Sequence, residues 1–124
     1  MRGGRISACG DALRAGLPFT LHTDTPVLRP NLLEAAWCAV NRVTKKGVQL
    51  DEDQKVGVYD ALRAITANGA YQYGEEDRKG TLEPGKLADL AVLDRDPFAV
   101  DPADLRDVTV LATVKEGEVV YERP

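Results

Sequence analysis

A histidine and an aspartate follow a short apolar run early in the chain, in the sequence LPFTLHTDTPV. A single residue separates His22 from Asp24. An imidazole nitrogen and a carboxylate oxygen can each bind a divalent metal ion or transfer a proton. The two residues therefore predict acid–base or metal-assisted chemistry, provided that the fold brings them to one place.

Each of these residues also has an ordinary structural explanation. Asp-Thr-Pro commonly opens a turn, in which the aspartate side chain accepts hydrogen bonds from backbone N–H groups. A lone histidine beside an apolar run more often satisfies its own hydrogen bonds than binds a ligand. Taken separately, Asp24 and His22 thus favour a structural role over a catalytic one.

The elements around this pair predict a strand preceded by a short helix. Residues 17–21 are mostly apolar, as in a parallel strand that is buried on both faces. Asp11 can cap a helix over residues 12–15, and Gly16 can supply the left-handed residue at its end. A strand followed by helices, which the sequence predicts downstream, is typical of the last β/α unit of an α/β domain.

The predicted strand places the pair where ligands usually bind. In α/β barrels and in open α/β sheets, ligands bind at the carboxyl ends of the strands. Side chains alternate along a strand with a period of two, which predicts that His22 and Asp24 share a face.

Three helices and then four short strands are predicted downstream. The helices begin at residues that can cap backbone N–H groups, namely Asn31 with Glu34, Asp51 with Gln54, and Thr66. The first closes at residues 45–47, and the third runs to about Tyr73 before Gly74. Apolar residues at helical spacing, including Trp37, are interpreted as core.

The predicted strands form a small β layer beside the α/β unit. They are residues 81–82 and 88–93, separated by a Pro84-Gly85 turn, and two strands joined by a hairpin at Glu116-Gly117. Between them, the sequence DPADLRD predicts a single helical turn with Asp101 at its N-cap.

Composition excludes several classes of function. The 124 residues fit one domain, and a hydrophobic content of 44% can form a core. A net charge of −4 argues against nucleic acid and anionic membrane as partners. Cys9 and Cys38 form no C-x-x-C pair and are interpreted as reduced thiols. With no apolar segment of bilayer length and no secretory signal, we expect a soluble, cytoplasmic protein.

Longer stretches carry a resemblance to a known family. The segments GLPFTLHTDTPV, NRVTKKG, ALRAITANGAYQYGEEDRKGTLEPGKLADLAVLDRDPF and VLATVKEGEVVYE closely resemble the carboxyl-terminal portion of the amidohydrolase superfamily. The branch that they resemble includes the N-substituted formamide deformylases. KGTLEPGKLADLAVLD is the most specific of these segments, because a similar phrase in the superfamily marks the return of the chain from the barrel into a small β-sandwich.

The resemblance implies a fold and a reaction. The fold class is α/β: residues 1–79 would be the last β/α unit and following helices of a (β/α)8, TIM-like barrel, and residues 80–124 strands of the β-sandwich. The family hydrolyses amide-type carbon–nitrogen bonds of small molecules with metal-activated water. Asp24 would end the eighth barrel strand, ligate or face the metal, usually zinc, and transfer a proton. At His22 many relatives carry a small residue, and the candidate roles of this histidine are to bind the metal or to line the substrate pocket.

The other metal ligands implied by the family are not in this sequence. They comprise a His-x-His pair on the first strand, a lysine or glutamate on the fourth, and histidines on the fifth and sixth, whereas catalytic zinc needs about three protein ligands. We therefore expect a fragment of a longer amidohydrolase that binds no metal and is inactive alone. The alternative is a non-catalytic α/β module that binds a partner or forms a homo-oligomer through unpaired edges.

Arg42 resembles an arginine that recurs at the end of this helix in the branch. A cation at a helix C-terminus interacts favourably with the helix dipole, which is a sufficient explanation for it at this level. The resemblance implies no catalytic role for this residue.

Overall fold

The computed structural model describes residues 6–124, which form four α-helices, two 3-10 helices and a three-stranded sheet. The helical elements are α1 (Cys9–Arg14), α2 (Leu32–Asn41), η1 (Glu52–Gln54), α3 (Val58–Ala64), α4 (Ala67–Gln72) and η2 (Pro102–Asp107). The strands are β1 (Leu90–Leu93), β2 (Val110–Lys115) and β3 (Glu118–Glu122). Helices and sheet are thus largely separate along the chain.

Helix α1 begins three residues earlier than its sequence predicts, because its N-terminus is capped from a distance. The side-chain oxygen of Gln54 accepts a hydrogen bond from the Asp11 N–H at 3.0 Å. The Asp11 carboxylate instead pairs with Arg14 at 2.6 Å within the helix. Gly16 has a φ of +67°, as predicted for the residue that ends this helix.

Helix α2 confirms its predicted start and ends earlier than predicted. The Asn31 side chain accepts hydrogen bonds from the N–H groups of Leu33, at 3.1 Å, and Glu34, at 3.3 Å. Arg42 then adopts the left-handed conformation, with a φ of +53°, which stops the helix at Asn41 instead of residues 45–47.

The second predicted helix is in fact two elements. The Asp51 side chain makes no capping bond, and only the short 3-10 helix η1 follows it. The Gln54 side chain is directed towards α1, and the Val56 N–H bonds to the Ala39 carbonyl at 3.3 Å, so the chain leaves helical geometry before α3 begins. Helix α4 confirms the third predicted helix and its end, with Gly74 at a φ of +68° after it. The predicted cap at Thr66 is wrong, because its hydroxyl donates to the Leu62 carbonyl at 2.8 Å instead of accepting from the N–H groups of α4.

Two of the predicted strands are not strands in this structure. Residues 17–21 belong to no helix or strand and pair with no strand in the described part of the chain, and a β-strand needs a neighbour to form a ladder. Residues 81–82 precede the Pro84-Gly85 turn without pairing. The turn itself is confirmed, with a bond of 3.2 Å from the Lys86 N–H to the Glu83 carbonyl.

The sheet is antiparallel, with the strand order β1-β2-β3. Glu116 and Gly117 connect β2 to β3 with φ values of +51° and +86°, which confirms the predicted two-residue hairpin. The side chain of Asp101 caps η2 by accepting from the Ala103 N–H at 2.8 Å, which confirms the helical turn predicted there.

The core lies where α2 packs against α3 and η2. It includes the buried apolar residues Leu33, Ala36, Ala39, Val40, Val56, Ala61, Leu105 and Val108. Trp37 packs at its margin, where its indole N–H donates to the Ala103 carbonyl at 2.6 Å and Arg106 lies 4.4 Å above its ring. The interpretation of the Trp37 face as core is therefore confirmed.

The two cysteines are free thiols, Cys9 buried and Cys38 exposed, in agreement with the sequence. Between residues 6 and 124, no helix is both long and apolar enough to cross a membrane.

Candidate functional site

Residues 19–21, shortly before Asp24, are held against α3 and α4 by hydrogen bonds. These are the bonds from Asn68 Nδ2 to the Phe19 carbonyl (2.9 Å), from Thr20 Oγ1 to Gln72 Oε1 (2.8 Å) and from the Leu21 N–H to the Ala64 carbonyl (3.4 Å). Helices α3 and α4 thus position residues 19–21. The chain continues from there to His22 and Asp24.

His22 is exposed at the end of this segment. Together with Thr23 it lines a groove of about 560 Å³ between residues 21–23 and α2. No hydrogen bond or ion pair of the His22 side chain is found within the described part of the chain. Its imidazole nitrogens are therefore not used for packing there, contrary to the ordinary structural explanation of a lone histidine.

Asp24 lies at the start of a turn. Its φ is +52°, in the left-handed region, which aspartate adopts more readily than most residues with a Cβ atom. The turn is closed by the backbone, since the Val27 N–H bonds to the Asp24 carbonyl at 2.8 Å. Among residues 6–124, no partner of its carboxylate is found. The predicted turn is present, but the carboxylate does not stabilise it.

The left-handed conformation of Asp24 corrects one sequence-based argument. Period-two alternation applies only while the backbone stays extended, and the chain leaves that geometry at Asp24. His22 lines the groove described above, whereas Asp24 lies outside its walls. Alternation therefore does not place the two side chains on one face.

The described residues do not form a complete metal site. Within residues 6–124, no group of three or more histidine, cysteine, aspartate or glutamate side chains is arranged to hold a metal ion. A catalytic zinc needs about three protein ligands, and His22 and Asp24 supply at most two. A metal bound here would require further ligands from outside this sequence.

Two thiols line the groove beside His22, and both are held in the neutral form. Burial raises the pKa of Cys9, with an opposing effect from the nearby Arg42 guanidinium. Burial and the neighbouring Glu34 carboxylate raise the pKa of Cys38. Because the thiolate is the nucleophilic form, neither cysteine is activated for attack at neutral pH.

Arg42 is a residue whose role the sequence does not reveal. Its side chain is almost fully buried, and its guanidinium donates to the carbonyls of Ser7 at 2.9 Å and Ile6 at 2.6 Å. It thus joins the end of α2 to the segment that leads into α1. A surface cation at a helix end would make neither contact, so the explanation from the helix dipole is incomplete.

Comparison with known proteins identifies the relatives of this chain. Residues 2–121 match the family model described as "Amidohydrolase family". The N-substituted formamide deformylase of Arthrobacter pascens is 40% identical over 111 residues, which are 90% of this chain and 20% of that protein.

Two solved structures superpose on this chain. An amidohydrolase from Thermotoga maritima MSB8 superposes with a TM-score of 0.62 at 31% identity, over 90% of this chain and 24% of that one. Guanine deaminase from E. coli has a TM-score of 0.64 over 92% of this chain and 30% of that one, and at 23% identity it shows likeness of fold alone. The chain thus spans between a fifth and a third of the length of these relatives.

Proposed function

The chain belongs to the amidohydrolase family, and from this membership we propose that it is the carboxyl-terminal part of a hydrolase that cleaves carbon–nitrogen bonds of small, amide-type substrates. In this proposal residues 1–79 complete a (β/α)8 barrel and residues 80–124 contribute strands to a small β-sandwich. Residues 17–23 become the eighth barrel strand once neighbouring strands pair with them, which accounts for their lack of strand pairing within residues 6–124.

Asp24 is the residue to which the proposal assigns the chemistry. The observation that carries the proposal is an exposed carboxylate with no partner within residues 6–124, at the start of a turn that it does not stabilise. Such a carboxylate is available for proton transfer. The Asp24 carboxylate would accept a proton from the attacking water and deliver it to the leaving nitrogen.

A divalent metal, zinc by expectation, would supply a more acidic water in the complete site. His22 is exposed and unpartnered within residues 6–124, and it is the candidate second ligand or pocket residue from this chain. The remaining ligands would come from the rest of the longer protein, so the 124-residue chain alone is expected to be inactive.

The test is a chimaera in which this chain replaces the matching fifth of the Arthrobacter pascens deformylase. We expect the chimaera to hydrolyse an N-substituted formamide and Asp24→Asn to lower kcat by at least about 100-fold, the usual effect of losing a general base. Asp77→Asn, which alters an exposed carboxylate in the linker after α4, is the matched control and should leave kcat unchanged.

Two results would contradict the proposal. The first is an Asp24→Asn chimaera that folds and retains more than about a tenth of the activity, because a general base contributes far more than that. The second is hydrolysis by the 124-residue chain alone, which would require a complete site within this sequence.

A further inference from the structure

The groove between residues 21–23 and α2, which we call the α2 groove, carries an excess of positive charge. Its volume of about 560 Å³ lies within the range of about 300–1,000 Å³ that is usual for small-molecule pockets. Four cations and one carboxylate line it among the described residues, namely Arg29, Arg42, Lys45, Arg106 and Glu34. The chain as a whole has a net charge of −4, so the groove is opposite in sign to the protein that contains it.

The cations of the α2 groove have no counter-ions in the described part of the chain. None of them forms an ion pair within residues 6–124. Elsewhere on the surface, cations do pair with carboxylates, as Lys79 does with Glu75 at 2.6 Å and Lys86 with Glu83 at 2.8 Å. The unpaired positive charge is therefore concentrated in a concave site, where low-dielectric walls strengthen its field.

Arg42 is the buried member of this set. It is only 5% exposed, and within residues 6–124 its guanidinium bonds to the neutral carbonyls of Ser7 and Ile6. Buried charges in proteins are usually paired with an opposite charge, because removing a charge from water is costly. An anion held in the adjacent groove would supply that opposite charge.

Three of the charged side chains surround one point of the α2 groove, the Cys38 thiol. Burial raises the pKa of Cys38 most, Glu34 raises it further, and Arg106 and Lys45 lower it, so all three charges act on the same atom. Arg106 lies 4.4 Å above the Trp37 ring, which fixes its guanidinium at the groove wall. Because neither Arg106 nor Lys45 has an ion-pair partner within residues 6–124, both can donate to a ligand.

We propose that the α2 groove beside Cys38 binds the phosphate group of a small-molecule ligand, with Lys45 and Arg106 as its counter-ions. A phosphate monoester carries a charge of about −1.5 to −2 at neutral pH, so it neutralises more than one cation at once. Its oxygens also match the bidentate geometry of a guanidinium. The proposal involves neither Asp24 nor a metal, so it does not rest on the proposed function.

Isothermal titration calorimetry of the chain with inorganic phosphate tests the site. We expect a Kd on the order of 1 mM or below at low ionic strength. Arg106→Gln and Lys45→Gln should each raise the Kd by about fivefold, the effect of losing one partly exposed ion pair. Glu34→Gln should lower the Kd by about twofold, because it removes a like charge from the groove wall. Arg123→Gln, at an exposed cation outside the groove walls, is the matched control and should leave the Kd unchanged.

Several results would overturn the phosphate site. A Kd that rises as much in Arg123→Gln as in Arg106→Gln would assign the binding to unspecific attraction, and a Kd unchanged or raised in Glu34→Gln would contradict the electrostatic argument. Acetate that binds as tightly as phosphate would assign the groove to carboxylates instead. Phosphate binding that Arg106→Gln weakens should persist in the folded deformylase chimaera, and its loss there would mean that other parts of the polypeptide fill the groove.

Discussion

Replacement of Arg42 is expected to destabilise the chain by more than any substitution of an exposed cation. In Arg42→Ala, the carbonyls of Ser7 and Ile6 lose their bonds at 2.9 and 2.6 Å from the guanidinium. Hydrogen bonds that involve a charged group contribute about 1.5–3 kcal/mol each. The buried Nε atom, which has no partner among the described residues, is removed at the same time and returns about 1–3 kcal/mol. The two lost bonds outweigh this return, and the middle of the resulting range, about 2–3 kcal/mol, is the expected net loss.

The backbone conformation of Arg42 provides an internal test of this reasoning. Because its φ is +53°, arginine and alanine both incur the left-handed penalty, whereas glycine does not. Arg42→Gly should therefore be about 1 kcal/mol less destabilising than Arg42→Ala, although glycine adds freedom to the unfolded chain. Arg42→Lys can reach at most one of the two carbonyls at a time and should lie between wild type and Arg42→Ala.

Urea unfolding followed by Trp37 fluorescence measures the effect. With a slope of about 2 kcal/mol per molar urea, Arg42→Ala should lower the midpoint by about 1–1.5 M. Arg63→Ala is the control, since Arg63 is exposed and lies 5.8 Å from the Tyr59 ring, and its substitution should change the free energy of unfolding by less than about 1 kcal/mol. A loss below about 1 kcal/mol in Arg42→Ala, or equal losses for alanine and glycine, would refute the argument.

Three further predictions concern local contacts. Gly10→Ala would make a Cβ atom overlap the Asp53 carbonyl oxygen and should destabilise the chain by about 1–3 kcal/mol in urea unfolding. Gly69→Ala, in a helix with no neighbour within 4 Å, should instead stabilise it by up to about 1 kcal/mol, and equal effects would contradict the close approach at Gly10. Glu116→Asn should raise the Tm, because asparagine tolerates the left-handed conformation at the first position of the hairpin turn; a lower Tm would argue against this turn geometry. Burial raises the pKa of the Cys9 and Cys38 thiols, so above about pH 8.5 the folded chain keeps protons that the unfolded chain releases. The free energy of unfolding should therefore fall as the pH rises above about 8.5. An equally steep fall in a variant with both cysteines replaced by alanine would contradict this.

Several local signals predicted local structure correctly. The Asn31 and Asp101 caps and the Glu116-Gly117 hairpin each depend on atoms within four residues of one another, and each is present as predicted. The predicted caps at Asp51 and Thr66 do not form. Other errors arise where a distant group decides. Helix α1 begins early because Gln54 caps it, and residues 17–21 fail to form a strand because the described chain provides no neighbouring strand.

The same contrast between local signals and distant contacts applies to the candidate site. The sequence identified Asp24 and His22 by type and spacing, and their catalytic and metal-binding roles remain predictions. It could not predict that Asp24 adopts a left-handed conformation, which invalidates the argument from alternation. The role of Arg42 was not visible either, because its partners Ile6 and Ser7 lie some 35 residues away in sequence.

The attachment of residues 19–21 has a consequence for local unfolding. Residues 19–21 are held by the hydrogen bonds from Asn68, Thr20 and the Leu21 backbone and by apolar packing against the core, and not by a continuous ladder. The side chains of His22 and Asp24 beyond them have no hydrogen-bond partner within residues 6–124. Segments with few contacts open at a free energy well below that of global unfolding. In the isolated chain, the end that carries His22 and Asp24 should therefore sample detached states while the helical core stays intact. Any neighbour that pairs with this segment would suppress those states, so that completing the fold and ordering the site would be a single event.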